Sequence, residues 1–151
     1  PTPGQVEIEA IYRLPPSGSS LVLNYTIHGD GAIQVEYRFT PGTEQLLPKI
    51  PRIGLALTLP PEFQFMEWYG RGPHESYWDR KTSAAIGLYR GTVWEQFYPY
   101  TRPQESGNKT DVRRMRLTNA DGVGLEMRAD GQALSASGRN ASSAGIVPRS
   151  L

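Results

Sequence analysis

Glu75 and Asp79 stand four residues apart in a segment, residues 68–90 (WYGRGPHESYWDRKTSAAIGLYR), that also holds His74, Ser76, Trp68, Trp78 and three glycines. Two carboxylates so close raise the question of acid–base work on a glycosidic bond. That chemistry needs carboxyl groups roughly 5–5.5 Å apart for retention or about 6.5–9.5 Å apart for inversion. Loop residues at this spacing meet either distance. Arg71, Arg80 and Lys81 surround them, however, and an arginine partner holds a carboxylate ionised and structural. Arg71 and Arg80 are therefore expected to pair with Glu75 and Asp79, and no residue is assigned as catalytic.

The other chemistries fare worse. A metal site would need His74 with Glu75 and Asp79, but the second of the two histidines, His28, lies far off in the sequence, and no calcium-loop spacing of Asp and Asn occurs. No metal is assigned. Ser76 two residues after His74 is not a nucleophile arrangement, and no Gly-x-Ser-x-Gly elbow is present. Gly70-x-Gly72 is no phosphate fingerprint, because no helix is expected after it. What remains is aromatic. Trp68, Tyr69, Tyr77, Trp78, Tyr89, Trp94, Phe97, Tyr98 and Tyr100 crowd into about thirty positions, and most such rings fill cores. The sharper reading is an amphipathic patch in which rings stand beside Arg71, Arg80, Arg102, Gln104 and Glu105, suited to holding a polyol such as a sugar. The candidate carbohydrate contacts are Tyr69, Arg71, His74, Glu75, Trp78, Arg102 and Glu105.

Strands must position these residues. Residues 6–14 (VEIEAIYRL) alternate apolar and charged side chains with period two. After a Pro/Ser/Gly break, Leu21, Leu23, Tyr25 and Ile27 face one way and Asn24, Thr26 and His28 the other. Ile33, Val35, Tyr37 and Phe39 repeat the pattern beyond Gly29-Asp30-Gly31, which predicts an antiparallel hairpin. Ile53, Leu55, Leu57 and Leu59 form a further alternating strand, and residues 63–69 (FQFMEWY) another. Residues 86–89 suit a short strand, while 93–100 (VWEQFYPY) have no clear type. Residues 111–117 and 122–127 flank an Asn/Asp/Gly turn and form a second hairpin. No window sustains helical apolar spacing. The expectation is an all-β, antiparallel sandwich over residues 1–129, with 130–151 a weakly patterned tail left out of the functional argument.

Composition sets bounds on partners. The 151 residues contain no cysteine, so thiol chemistry, disulfides and Cys-based zinc sites are excluded. Sixteen basic residues against fifteen acidic, with no single-sign block, give nucleic acid or a membrane surface little to hold. No apolar run approaches the ~18 residues of a membrane span, and no signal-peptide pattern is visible. A cysteine-free chain suits cytoplasm and periplasm alike, with the cytoplasm favoured. The chain opens Pro1-Thr2-Pro3-Gly4 without Met and is read as cut from a longer polypeptide.

Four motifs in order carry a resemblance. They are Pro51-Arg52-Ile53-Gly54-Leu55; residues 68–80 (WYGRGPHESYWDR); Tyr98-Pro99-Tyr100 with residues 102–108 (RPQESGN); and Asp111-Val112-Arg113-Arg114. Together they resemble the C-terminal domain of large bacterial β-galactosidases, glycoside hydrolases of family 2, over roughly residues 21–127. The resemblance implies a galactose-mutarotase-like supersandwich, here incomplete, and a parent enzyme that hydrolyses terminal β-galactosides such as lactose with retention. It implies that the catalytic glutamates and the magnesium and sodium ligands lie in other domains, so this chain carries no cofactor. The family tryptophan that borders the galactose pocket falls beyond the matched region.

The expectation is thus an accessory domain, not catalytic alone, that shapes the substrate cleft and oligomer contacts. Its partners would be the remaining domains of the parent, a galactoside and further copies of itself. Half a sandwich would expose strand edges and an apolar face, so the chain is expected to dimerise or to belong to something larger. The rival readings are a stand-alone carbohydrate-binding module and a purely structural packing domain.

Overall fold

A computed structural model describes residues 4–42, 53–102, 104–139 and 143–147. The expected linker after Gly42, Pro51 and Arg52 of the first motif, Pro103, and the chain end from Pro148 lie outside the described residues. The fold is all-β; among the described residues every strand pairing is antiparallel and the helical turns are two short 3-10 segments, Pro15–Ser17 and Trp94–Gln96. The chain divides into two compact units, Pro1–Ile50 and Pro51–Leu151.

The first unit is one three-stranded sheet of β1 (Gln5–Leu14), β2 (Ser19–His28) and β3 (Ile33–Thr40), in that order. The expected hairpin around Gly29-Asp30-Gly31 is present. Gly31 takes φ +90°, and the Asp30 carboxylate accepts from the Ala32 N–H at 2.9 Å, so the residue types close the turn themselves. Register then sorts the faces. Val6, Ile27 and Ile33 form one cross-strand row; Ile8, Tyr25 and Val35 the next; Ala10, Leu23 and Tyr37 the third; Tyr12, Leu21 and Phe39 the fourth. All twelve side chains share one face, because strand side chains alternate. Glu7, Glu9, Arg13, Asn24, Glu36 and Arg38 take the other. The apolar face is partly open: Leu23 is buried, but Val6 is 57 % exposed, Ile8 48 %, Tyr12 50 % and Ile33 59 %.

The second unit has two four-stranded sheets. One runs β4 (Leu55–Leu57), β11 (Ser143–Val147), β10 (Leu134–Arg139), β7 (Lys109–Val112). The other runs β6 (Ala85–Thr92), β5 (Phe65–Gly72), β8 (Arg114–Thr118), β9 (Gly124–Arg128). Between them Met66 and Trp68 of β5, Val112 of β7, Met115 and Leu117 of β8, Ala136 of β10 and Val93 make one buried cluster. Each large apolar side chain in it contributes about 1.5–3 kcal/mol relative to exposure.

Several elements differ from the sequence reading. The segment 68–90 is loop only at 73–84; its two ends are β5 and β6. Gly70 and Gly72 lie on the inward face of β5 because neighbours leave no room. A Cβ on Gly70 would come 2.9 Å from Val112 Cα, and one on Gly72 2.6 Å from the Tyr89 ring. The weakly patterned tail supplies β10 and β11. Its Ser135, Ala136 and Ser137 are all buried, so small side chains replace apolar alternation where both faces of β10 are covered. The single strand expected at 111–117 is two. The chain leaves one sheet after Val112 and enters the other at Arg114, a corner at which Asp111 adopts φ +53°. The strand expected from Ile53 to Leu59 shortens to three residues. The predicted second hairpin is β8–β9.

Candidate functional site

The loop at 73–84 is stitched to the strand that enters at Lys109. Ser76 is wholly buried; its N–H donates to the Asn108 carbonyl at 2.8 Å, its hydroxyl pairs with Thr110 Oγ1 at 2.9 Å and accepts from the Thr110 N–H at 3.0 Å. The Asn108 amide returns a bond to the Ser76 carbonyl at 2.8 Å. Lys109 is buried as well, 1 % exposed, with Nζ donating to the Pro73 carbonyl at 3.1 Å and standing 4.8 Å from the Trp68 ring centroid. Burial pulls its ammonium down to about 8, the nearby Glu75 charge opposing.

Glu75 is the centre of this loop. One carboxylate oxygen accepts from Arg80 Nη2 at 3.0 Å and from the Tyr100 hydroxyl; the other accepts from the Gly107 N–H at 2.7 Å and the Tyr77 hydroxyl at 3.4 Å. Arg80 also bonds Tyr100 Oη at 2.9 Å and lies 4.4 Å from the Tyr77 ring centroid. Burial, then the Glu75 charge, push the Tyr77 phenol up to about 12. With four donors on its two oxygens, Glu75 joins three stretches of chain and has little left to offer a substrate.

Arg71 forms a second knot. Its Nε meets Asp111 at 2.5 Å and its Nη1 donates to the carbonyls of Lys81 (3.2 Å) and Ala84 (2.7 Å), while Lys81 Nζ meets Asp111 at 3.3 Å. Burial alone would raise the Asp111 carboxyl, but hydrogen bonds from Arg71 and Lys81, with their charges, hold it below the ordinary carboxylate value. Arg71 therefore pairs with Asp111, not with Glu75 or Asp79 as spacing suggested; Arg80 does pair with Glu75.

The remaining candidates scatter. His74 Nε2 is 3.0 Å from Ser83 Oγ on the exposed side of the loop. Trp78 is 39 % exposed, with Lys81 Nζ 4.3 Å from its ring centroid. Tyr69 lies on the outward face of β5, near Arg113. Arg102 is exposed, and Glu105 sits beside Trp94 and Phe97. The structure thus gathers Arg71, His74, Glu75 and Trp78 around one loop, brings Glu105 near enough for its charge to act on the loop's Tyr77 phenol, and leaves Tyr69 and Arg102 outside it. Among the described residues no group of three His, Cys, Asp or Glu side chains is placed to hold a metal ion. A hollow of about 560 Å³ beside Glu67, Arg90 and Arg116 contains none of the seven candidates. The residues that the sequence reading missed are Ser76, Lys109 and Asp111, whose partners lie thirty or more positions away; nothing local in the sequence signals such pairings.

Comparison with known proteins finds a match to the family described as beta galactosidase small chain over residues 2–144. Among curated proteins, the Beta-galactosidase of Priestia megaterium is 48 % identical over 120 residues, covering 80 % of this chain and 11 % of the relative. That of Halalkalibacterium halodurans is 36 % identical over 128 residues, covering 83 % and 12 %. That of Lactobacillus delbrueckii subsp. bulgaricus is 40 % identical over 133 residues, covering 87 % and 13 %. The chain spans only about an eighth of the length of these relatives.

Proposed function

Since the chain belongs to the beta-galactosidase small-chain family, we propose that it serves as the accessory domain of a β-galactosidase whose catalytic carboxylates stand elsewhere. The parent reaction would be hydrolysis of terminal β-D-galactosides such as lactose. The chain's part is to shape the substrate cleft and the contacts between subunits.

The observation that carries this reading is the sheet of β1, β2 and β3. Its four apolar rows present a continuous face with half-exposed Val6, Ile8, Tyr12 and Ile33 at its strands. A patch of that kind on a soluble protein marks a surface meant to be covered, and relatives some eight times longer supply polypeptide to cover it. Glu75 supports the non-catalytic part, since its lone pairs are occupied by Arg80, Tyr100, Gly107 and Tyr77. In this reading the magnesium and sodium implied by the family resemblance are held by the rest of the enzyme.

Hydrolysis of a chromogenic galactoside tests the proposal. The chain alone should release no chromophore, and the enzyme lacking this segment should lose most of its activity, with return on adding the chain back. Turnover by the chain alone, abolished by Glu75→Gln, would overturn it.

A further inference from the structure

A hollow of about 240 Å³ lies where the Trp94–Gln96 turn faces the loop at 104–106, lined by Trp94, Phe97, Gln104, Glu105, Ser106 and Gly138. Trp94 and Phe97 are 56 % and 55 % exposed, an unusual position for two large rings whose burial would stabilise the fold. The turn that presents them is held on both sides. Glu95 N–H donates to Thr92 Oγ1 at 3.2 Å, Thr92 N–H donates to the Glu95 carboxylate at 2.6 Å, and the Gln96 amide donates to the Thr92 carbonyl at 3.2 Å.

The facing loop is equally constrained. Gly107, at φ +76°, approaches the Gln96 carbonyl so closely that a Cβ would come 2.5 Å from that oxygen, and its N–H is taken by Glu75. Gly138 lines the hollow without a side chain, and a Cβ there would stand 3.2 Å from Val93 Cγ1. Backbone constraint, not a loose loop, keeps the space open.

Its chemistry narrows the ligand. Ring faces bind the carbon-bound hydrogens on one side of a pyranose, while an amide, a carboxylate and a hydroxyl exchange hydrogen bonds with its hydroxyl groups. The Glu105 carboxylate disfavours an anion. The volume falls below the roughly 300–1,000 Å³ of sites for drug-sized ligands, which suits one ring rather than an oligomer. We infer that this hollow binds a single hexopyranose unit, stacked on Trp94 and Phe97 and hydrogen-bonded by Gln104 and Glu105, apart from the Glu75 knot. The inference rests on the proposed β-galactosidase role only for the choice of galactosides as probes.

Saturation-transfer NMR on the enzyme that contains this chain, its catalytic pocket blocked by a covalent inactivator, tests it with galactose, lactose and glucose as probes. Binding of galactose or lactose should weaken about tenfold in Trp94→Ala and measurably in Gln104→Ala, and be unchanged in Leu88→Ser, on the outward face of β6. Gln104→Ala sits in an exposed loop and keeps the test sound should the tryptophan variant fold poorly. Binding of glucose alone, lost in the same two variants, would uphold the site and count against the galactoside role. No sugar signal, or one that both variants leave intact, would overturn the inference.

Discussion

Lys109→Met removes a buried charge while keeping the length of the side chain, and its effect on pH-dependent stability can be worked out. The folded-state pKa is about 8 against an ordinary 10.5, and each unit is worth 1.36 kcal/mol, so carrying the ammonium inside the fold costs about 3 kcal/mol relative to the neutral amine. Because the folded value lies below the unfolded one, folding favours the neutral form. That contribution is complete above about pH 10.5 and is lost as pH falls through about 8. The wild-type protein should therefore gain about 3 kcal/mol relative to Lys109→Met between about pH 7.5 and pH 10.5. Tyr77, whose phenol is raised to about 12, acts in the opposite sense above its ordinary 10.0, but it is present in both proteins and drops out of the difference. At neutral pH the variant sheds the desolvation cost and also loses the bond to Pro73 and the contact with Trp68, so the slope is the discriminating quantity. Urea unfolding followed by tryptophan fluorescence, at a series of pH values, reads it. Parallel stability curves for the two proteins would refute the assignment of a strained, buried ammonium.

Asp111→Asn should destabilise the second unit by about 2 kcal/mol, since it strips Arg71 and Lys81 of a common anion. The same carboxylate, depressed in the fold, should make wild-type stability fall more steeply than the variant's with acidification below the ordinary aspartate range, as acid titration of unfolding for the two proteins would show. Gly72→Ala should cost about 1–3 kcal/mol through collision with the Tyr89 ring, measured as a lowered urea midpoint. Ile8→Glu, half exposed and bordered by Tyr25, should leave the β1–β2 hairpin formed yet prevent assembly with the rest of the enzyme, read by size-exclusion chromatography with light scattering. Undiminished assembly would count against the covered-face argument.

The first unit was legible because one period-two pattern runs through β1, β2 and β3 and a Gly-Asp-Gly turn sets the register. The second unit hid more. β10 is built from Ser135, Ala136, Ser137 and Gly138, whose small size reflects burial on both faces and mimics the composition of a linker. The sheet change between Val112 and Arg114 leaves no mark in a run that reads as one strand. At the candidate site, the ion pair of Arg80 with Glu75 is local and could be anticipated. The pairing of Arg71 with Asp111 spans the corner itself and depends on tertiary placement.

The sheet order of the second unit also sets a timetable for synthesis. Among the described residues β4 has one neighbour, β11, and the two lie near opposite ends of that unit. β1, β2 and β3 can zip as soon as they leave the ribosome, each beside the next in sequence. β4 must instead wait, its hydrogen-bonding edge unsatisfied, until β11 has been made, and long-range pairings of this kind are slow and open to wrong partners in the interval. The brevity of β4, three residues with a proline pair soon after it, limits what that waiting edge can capture.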